Sequence, residues 1–236
     1  MLVSTIRDII VSSAMRVPEK DAIRYKKSKN EIVSKSYAQL KADSEKFSAV
    51  LKTLGEQGKH IALVGATSYE WLVTYFGITN SGSVAVPLDV LLPAEDMCEL
   101  IDRADATVFV VDEVRADVLS IVRERCPQLK YVISMQKTEE TDGVLSFWQL
   151  MNAESAGFEC DIWPDQLATI MFTSGTTGKS KGVMLTHRNL AENATCLDMK
   201  IPEDTVLLSV LPVHHAYCLT MDFLKGLYNG STICIN

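Results

Sequence analysis

Short apolar strand patterns alternate with helical patterns through the middle of the sequence, between residues 60 and 134. Apolar runs such as residues 61–64 and 107–111 are separated by longer helical stretches such as residues 68–80 and 113–125. Strands and helices that alternate in this way build a mostly parallel sheet with helices on both faces. The sequence therefore predicts an α/β fold in which mostly parallel strands are flanked by helices.

A loop rich in glycine and hydroxyl groups follows the apolar run of residues 167–172. Residues 173–182 read T-S-G-T-T-G-K-S-K-G. Glycines let backbone N–H groups approach a ligand closely, hydroxyls add hydrogen-bond donors, and lysines neutralise negative charge. This composition predicts a loop that binds a polyphosphate. A flexible hairpin or surface loop rich in turn-forming residues is the alternative.

Other nucleotide-binding and catalytic motifs do not fit the sequence. A Walker A loop needs a glycine five positions before Gly178, where Thr173 stands. The dinucleotide-binding G-x-G-x-x-G motif does not occur around this loop, and the G-x-S-x-G elbow of hydrolases is missing. The six cysteines lie at least sixteen residues apart, which excludes the usual ligand spacing of a structural zinc site.

The composition narrows the class of protein and its partners. The net charge of −7 argues against a nucleic-acid-binding surface. Scattered cysteines in an acidic chain indicate reduced thiols and predict a cytoplasmic protein. No stretch reaches eighteen uninterrupted apolar residues, so we expect no transmembrane segment.

The ordered string T-S-G-T-T-G-x-x-K-G resembles the phosphate-binding signature of the adenylate-forming (AMP-binding) superfamily. This superfamily includes acyl-CoA synthetases, luciferases and peptide-synthetase adenylation domains. Ser180 departs from the pattern, because the family usually has proline there. Four further blocks resemble the family in the family's order: residues 59–71, 82–89 (G-S-V-A-V-P-L-D), 183–190 and 211–215 (L-P-V-H-H). The closest resemblance is to acyl-CoA synthetases of the fatty-acid type.

The resemblance implies a fold of stacked, mostly parallel sheets flanked by helices, of which this chain carries the N-terminal part. Residues 1–58 would begin a second α/β subdomain with a helix, a hairpin and a helix. Residues 59–200 would form an α/β subdomain that ends in the phosphate loop and the helix after it. Residues 201–236 would return to the second subdomain, whose sheet stays incomplete.

The resemblance also implies a reaction. ATP and a carboxylic acid, here of the fatty-acid type, form an acyl-adenylate and pyrophosphate, and coenzyme A then takes the acyl group. Mg²⁺ would bridge the phosphates, with its protein ligand expected beyond this chain. By resemblance, ATP would be bound by Thr173, Ser174, Gly175, Thr176, Thr177, Gly178 and Lys181.

His215 matches the motif histidine near the acyl carboxylate, where the resemblance implies that it orients the carboxylate and is not a general base. His214 would occupy the aromatic position of the same motif, and Lys179 would be a solvated charge. These roles come from the resemblance alone.

The family's adenine-stacking motif, ribose-binding aspartate, hinge and late catalytic lysine have no match in the sequence, and family members are about twice as long. We therefore expect an N-terminal fragment of a ligase that cannot complete the reaction alone and binds ATP weakly at most. The alternative is a stand-alone nucleotide- or acyl-binding module, or a non-catalytic remnant with an interaction role.

Overall fold

The structure, a computed structural model, describes residues 2–28, 30–154, 158–173, 180–196, 201–202 and 204–235. The helices are α1 (Ile6–Arg16), α2 (Tyr37–Thr53), α3 (Tyr69–Asn80), α4 (Ala94–Arg103), α5 (Leu119–Arg125), α6 (Phe147–Ala153), α7 (His187–Cys196) and α8 (Gly226–Tyr228), with a 3₁₀-helix at Glu113–Val118 and a π-helix at Cys218–Lys225. The strands are β1 (Asp21–Ser28), β2 (Glu31–Ser36), β3 (His60–Val64), β4 (Val84–Leu88), β5 (Ala106–Val111), β6 (Tyr131–Ser134), β7 (Val144–Ser146), β8 (Leu167–Thr173), β9 (Lys181–Thr186), β10 (Val206–Ser209) and β11 (Thr232–Ile235).

The larger sheet has the strand order β7-β6-β5-β3-β4-β8-β9, and all of its pairs are parallel except the β8–β9 hairpin. Alternate residues of β3 enter different hydrophobic clusters: Ile61 and Leu63 join one, whereas Ala62 and Val64 join the other. Both faces of the strand are therefore buried, which explains why the strand reads as a continuous apolar run. The predicted α/β fold with mostly parallel sheets is confirmed.

The smaller sheet has the order β10-β11-β1-β2 and combines the two ends of the chain. The β10–β11 and β11–β1 pairs are parallel, whereas β1 and β2 form an antiparallel hairpin. Helices α1, α2 and α8 pack near this sheet, and Ile23 and Ile233 belong to the core that they share. The subdomain boundaries given above stay a prediction.

Three elements differ from the sequence prediction. Strands β7 and β9 were not predicted, and the helix expected over residues 113–125 is divided into a 3₁₀-helix and α5. Arg115, inside the 3₁₀-helix, has a non-helical backbone, and its guanidinium donates to the carbonyl oxygens of Val90 and Leu92. Residues 218–225, expected to be part of an ordinary helix, form the π-helix.

Among the described residues, the structure contains no helix whose length and apolar character would let it span a membrane.

His187, the first residue of α7, is fully buried, and neither ring nitrogen has a hydrogen-bond partner among the described residues. Burial and, to a smaller extent, the positive charge of Arg7 lower the pKa of His187 to about 4, whereas Asp8 acts in the opposite direction. In the unfolded chain the imidazole titrates near pH 6.5. The folded state therefore requires a neutral ring.

We predict that this histidine makes the fold sensitive to acid. Between the two pKa values the unfolded state binds more protons, so the stability linked to His187 is complete above pH 6.5 and is lost as the pH falls towards 4. The shift corresponds to about 3 kcal/mol of unfolding free energy. Urea unfolding at several pH values should show a shallower acid slope for His187→Leu than for the wild type.

Candidate functional site

The glycine-rich loop joins β8 to β9, which are paired as an antiparallel hairpin. Five of the predicted ATP-binding residues lie outside the described residues: Ser174, Gly175, Thr176, Thr177 and Gly178. The other two, Thr173 and Lys181, lie directly opposite each other in the register of the hairpin, and both are exposed. The structure therefore brings a hydroxyl and an ammonium group together at the base of the loop.

Gly182 allows the two strands of this hairpin to lie close together. A Cβ atom at this position would be 3.2 Å from Ile170 Cγ2 and 3.2 Å from Phe172 Cε1. Because both contacts are tighter than ordinary packing, a larger residue would push the side chains of β8 aside. The last glycine of the loop sequence thus has a packing role in the hairpin.

Arg103, at the end of α4, holds the other flank of the loop and was not predicted from the sequence. Its Nη2 donates to the carbonyl oxygen of Ser180 at 2.8 Å, and its guanidinium lies 5.5 Å from the ring centroid of Phe172. Its Nη1 is 3.5 Å from Glu99 Oε1, one turn earlier on the same helix. Arg103 therefore connects α4 to Ser180, the residue directly before β9.

The two histidines of the L-P-V-H-H segment have different surroundings. His214 is mostly buried, with Nε2 at 3.5 Å from Asp89 Oδ1, whereas His215 is exposed. Their ring centroids are 4.3 Å apart. Burial lowers the pKa of His214; the carboxylate of Asp89 opposes this, and His215 adds to it. A neutral His214 beside Asp89 links the segment after β10 to the segment after β4.

Two pockets are lined in part by this histidine segment and the residues directly after it. The first, of about 330 Å³, is lined by His214, by Val90 and by residues at the carboxyl ends of β3 and β10, among them Gly65 and Ser209. The second, of about 660 Å³, lies between α7 and the π-helix and is lined by Leu185, Asn189, Leu190, Asn193, Ala216, Tyr217, Thr220 and Met221. In the sequence, His215 lies between His214, which lines the first pocket, and Ala216, which lines the second.

The described part of the chain contains no group of three or more histidine, cysteine, aspartate or glutamate side chains placed to hold a metal ion. His60, a further histidine, has its Nδ1 at 2.6 Å from the carbonyl oxygen of Ala104. This contact joins the start of β3 to the residue directly after α4.

The AMP-binding enzyme family matches residues 11–236, nearly the whole chain. The chain belongs to this family. Over 207 residues, the chain is 28% identical to a crotonobetaine/carnitine–CoA ligase from Escherichia coli O127:H6, a match that covers 85% of the chain and 40% of that ligase. The chain thus spans less than half the length of the curated relatives that it matches. It is related to acyl-CoA ligases and corresponds to their N-terminal part.

Solved structures of the family have the same fold. The ATP-bound MatB from Rhodopseudomonas palustris is 26% identical, with a TM-score of 0.83 over 99% of this chain and 45% of MatB. The inhibitor-bound N-terminal domain of FACL13 from Mycobacterium tuberculosis has a TM-score of 0.85 over 98% of this chain and 57% of that domain. At 24% identity, the FACL13 match shows the fold alone.

We predict that Arg103→Ala weakens ATP binding about three- to tenfold, as the loss of one positioning hydrogen bond to Ser180 would do. The dissociation constant can be measured by ³¹P NMR titration of the chain with ATP. Arg103→Lys should restore little, because an ammonium group lacks the planar surface that stacks on Phe172. The control Arg125→Ala changes an arginine at the end of α5 and should leave the constant unchanged. If Arg103→Ala and Arg125→Ala weakened ATP binding equally, the role assigned to Arg103 beside the loop would be wrong.

Proposed function

We propose that the chain is the N-terminal, phosphate-binding part of an ATP-dependent acyl-CoA synthetase. The observation that carries this proposal is the base of the glycine-rich loop, where Thr173 and Lys181 are paired across two hydrogen-bonded strands. This pairing holds a hydroxyl donor and a positive charge on the two sides of one short loop. Such a loop favours an anionic ligand, and membership of the AMP-binding family supports ATP as that ligand.

In the proposed reaction, a carboxylate oxygen of a small-molecule acid attacks the α-phosphorus of ATP. The bond from that phosphorus to the oxygen of pyrophosphate breaks, and negative charge develops on the departing group. Hydrogen-bond donors and charges that are fixed in advance stabilise this charge better than water does. We assign this work to the hydroxyls of Thr173, Ser174, Thr176 and Thr177, to backbone N–H groups at Gly175 and Gly178, and to the ammonium group of Lys181.

The second pocket suits the acyl part of the acid. Its volume of about 660 Å³ and its leucine, alanine, tyrosine and methionine side chains favour a hydrocarbon chain, which supports a fatty acid as substrate. His215 directly precedes Ala216 and Tyr217, two of the lining residues. We propose that His215 orients the carboxylate at the entrance. No general base is needed, because a carboxylate is already nucleophilic.

Coenzyme A is the proposed acceptor of the acyl group. Its sulfur would attack the acyl carbonyl carbon, and AMP would leave with the electron pair of the broken bond. Because the first pocket is lined by His214, the neighbour of His215 in the chain, we propose it as the approach of the thiol. Mg²⁺ would neutralise the phosphates, and we assign it no ligand among these residues. We place the protein in the cytoplasm because all six cysteines are free thiols.

We predict that the 236-residue chain alone does not catalyse exchange between ATP and pyrophosphate. A chimera tests this: residues 1–236 are followed by the part of the E. coli crotonobetaine/carnitine–CoA ligase beyond its matched region. The chimera should catalyse the exchange with one class in a series of acids of increasing chain length. Exchange by the chain alone would refute the claim that it is incomplete. A folded chimera that binds no ATP would favour the alternative of a non-catalytic module.

A further inference from the structure

The segment between β10 and the π-helix, residues 210–217, carries the two histidines of the candidate site and is joined at its base by a small polar cluster. Ser209 ends β10, Cys218 begins the π-helix, and Asp222 lies four positions further along that helix. Ser209 and Cys218 are buried, whereas Asp222 is half-buried. We call these three side chains the base cluster, because they come from the two elements that flank the segment.

Short contacts connect the members of the base cluster. Ser209 Oγ donates a hydrogen bond to Asp222 Oδ2 at 2.8 Å. Cys218 Sγ is 3.4 Å from Ser209 Oγ and 3.5 Å from Asp222 Oδ2. The same sulfur is 3.2 Å from the carbonyl oxygen of Leu211, to which it donates. The carboxylate is therefore in contact with the hydroxyl and the thiol, and the thiol holds the backbone of the segment.

The thiol of Cys218 stays protonated in these surroundings and is a donor. Burial is the main cause that raises its pKa to about 11; the carboxylate of Asp222 adds to the rise, whereas the hydrogen bond with Ser209 opposes it. A thiol has one proton to donate, and the carbonyl oxygen of Leu211 is the nearest of its three contacts. Asp222 thus favours the protonated form of the thiol that the contact with Leu211 requires.

His215 is attached to the same frame through its backbone. Its N–H donates to the carbonyl oxygen of Pro212 at 3.1 Å, and its own carbonyl oxygen accepts from the N–H of Leu219 at 3.0 Å. Leu219 directly follows Cys218 in the π-helix. Because the imidazole of His215 is exposed, its position depends on how firmly the segment is held at its base.

The base cluster adjoins both pockets of the candidate site. Ser209 lines the first pocket, whereas Thr220 and Met221, the two residues before Asp222, line the second. π-Helices are rare and are frequent at functional sites. A change in the base cluster would therefore move a wall of each pocket together with His215.

We propose that Asp222 is a positioning residue for the acid substrate. Through Ser209 and Cys218 it holds residues 210–217 so that His215 stays at the entrance of the second pocket. Asp222 lines neither of the two pockets, so it acts through these neighbours. This proposal rests on the proposed function, in which His215 and the second pocket receive the carboxylic acid.

The first experiment measures ATP–pyrophosphate exchange in the chimera described above, with octanoate, or the straight-chain acid that the wild type uses fastest, as the probe. Asp222→Ala should raise the KM for the acid about tenfold, as the loss of a hydrogen bond to a charged group would do. The KM for ATP should change less than about twofold, because the phosphate loop lies between β8 and β9. Asp222→Asn keeps an oxygen that accepts from Ser209 and should restore most of the affinity for the acid.

Glu56 provides the matched control for a mere loss of stability. It is a buried carboxylate that accepts from Thr107 Oγ1 at 2.5 Å and from Lys130 Nζ at 2.8 Å. These contacts lie near the amino ends of β3 and β5, whereas the first pocket lies at the carboxyl end of β3. Glu56→Ala should lower the melting temperature and leave the KM for the acid unchanged. If it raises that KM as much as Asp222→Ala does, the effect is one of general stability and the proposal is wrong.

The second experiment uses the 236-residue chain and needs no catalytic activity. The imidazole proton resonances of His215 are followed by NMR and assigned with His215→Gln. Asp222→Ala and Ser209→Ala should both move these resonances, whereas Glu56→Ala should not. The resonances of His60, whose ring is bound at the start of β3, serve as the internal reference. Resonances of His215 that stay in place in both base-cluster variants would overturn the proposal.

The two experiments also separate this proposal from the proposed function. Absence of exchange in a folded wild-type chimera would refute the proposed function, and the NMR experiment would still decide whether Asp222 positions His215. If Asp222→Ala does not fold, Ser209→Ala replaces it in both experiments, because it removes the donor to the carboxylate. An unchanged KM for the acid together with unchanged His215 resonances in Ser209→Ala would then overturn the proposal.

Discussion

Lys181→Gln is expected to lower the rate of ATP–pyrophosphate exchange by about two orders of magnitude in the chimera, the usual effect of losing one contact to developing charge. The structure gives the reason. Lys181 lies at the end of the hairpin, opposite Thr173, so its backbone is held by strand pairing while its ammonium group stays exposed. Glutamine keeps much of the length of the side chain and removes the charge.

The neighbouring lysine provides the matched control. Lys179 lies two positions earlier, outside the described residues, and the resemblance gives it no conserved role. Because the resemblance implies a solvated charge at this position, Lys179→Gln should change the exchange rate less than about threefold. Lys181→Arg should keep part of the rate, because a positive charge remains. If both glutamine variants lose activity equally, the general charge of the loop matters and Lys181 has no special position.

Binding measured on the chain itself separates ground-state from transition-state effects. A ³¹P NMR titration with ATP should show only a modest loss of affinity for Lys181→Gln, because the largest charge develops after the substrates have bound. A loss of affinity as large as the loss of rate would mean that Lys181 holds ATP equally in both states.

Much of the fold was predictable because parallel strands are buried on both faces and therefore leave apolar runs in the sequence. Strand β3, with four buried residues of five, is such a case. Strand β7 is only three residues long and lies after a polar segment, so it leaves no comparable pattern. Strand β9 has four exposed residues and is defined by its pairing with β8, not by its own burial.

The candidate site was predictable only in part. The composition of the loop indicated phosphate binding, and the hairpin alternative was compatible with it, because the flanking strands themselves form a hairpin. Arg103 could not be found, since its partner is the backbone carbonyl of Ser180, 77 positions away, and a carbonyl has no sequence signature. The contact between His214 and Asp89 likewise depends on two segments that only the fold brings together. The roles of the loop residues and of His215 stay predictions.

A close contact between α2 and α3 depends on a residue that the sequence patterns did not single out. Gly77 of α3 faces α2, and a Cβ atom placed on it would be 2.7 Å from Phe47 Cβ and 2.9 Å from the carbonyl oxygen of Ser44. Ser48 Oγ also donates to the carbonyl oxygen of Gly77 at 2.8 Å. Both contacts of the added atom involve backbone or a Cβ atom, so neither can be relieved by a change of rotamer. The two helices must separate to make room.

Gly77→Ala is therefore expected to destabilise the fold, although alanine is the better helix former by about 1 kcal/mol. Overpacking of a rigid contact costs about 1–3 kcal/mol. We expect this cost to exceed the gain, since separating the helices would also stretch the hydrogen bond from Ser48. We expect a net loss of about 2 kcal/mol in unfolding free energy and a melting temperature about 4–8 °C lower. Urea and thermal unfolding followed by circular dichroism would measure both.

Gly226→Ala is the matched control for this prediction. Gly226 has helical backbone angles, and its added Cβ atom would meet Leu207 Cδ1 at 3.0 Å and Ile233 Cδ1 at 3.1 Å. These atoms are the ends of flexible side chains, so a change of rotamer relieves the contact. The higher helix propensity of alanine then compensates for the energy of the rotamer change. The unfolding free energy should stay within about 1 kcal/mol of the wild type. If the two substitutions have equal effects, then the space at the α2–α3 contact does not limit the packing, and the distance between these helices is set elsewhere in the core.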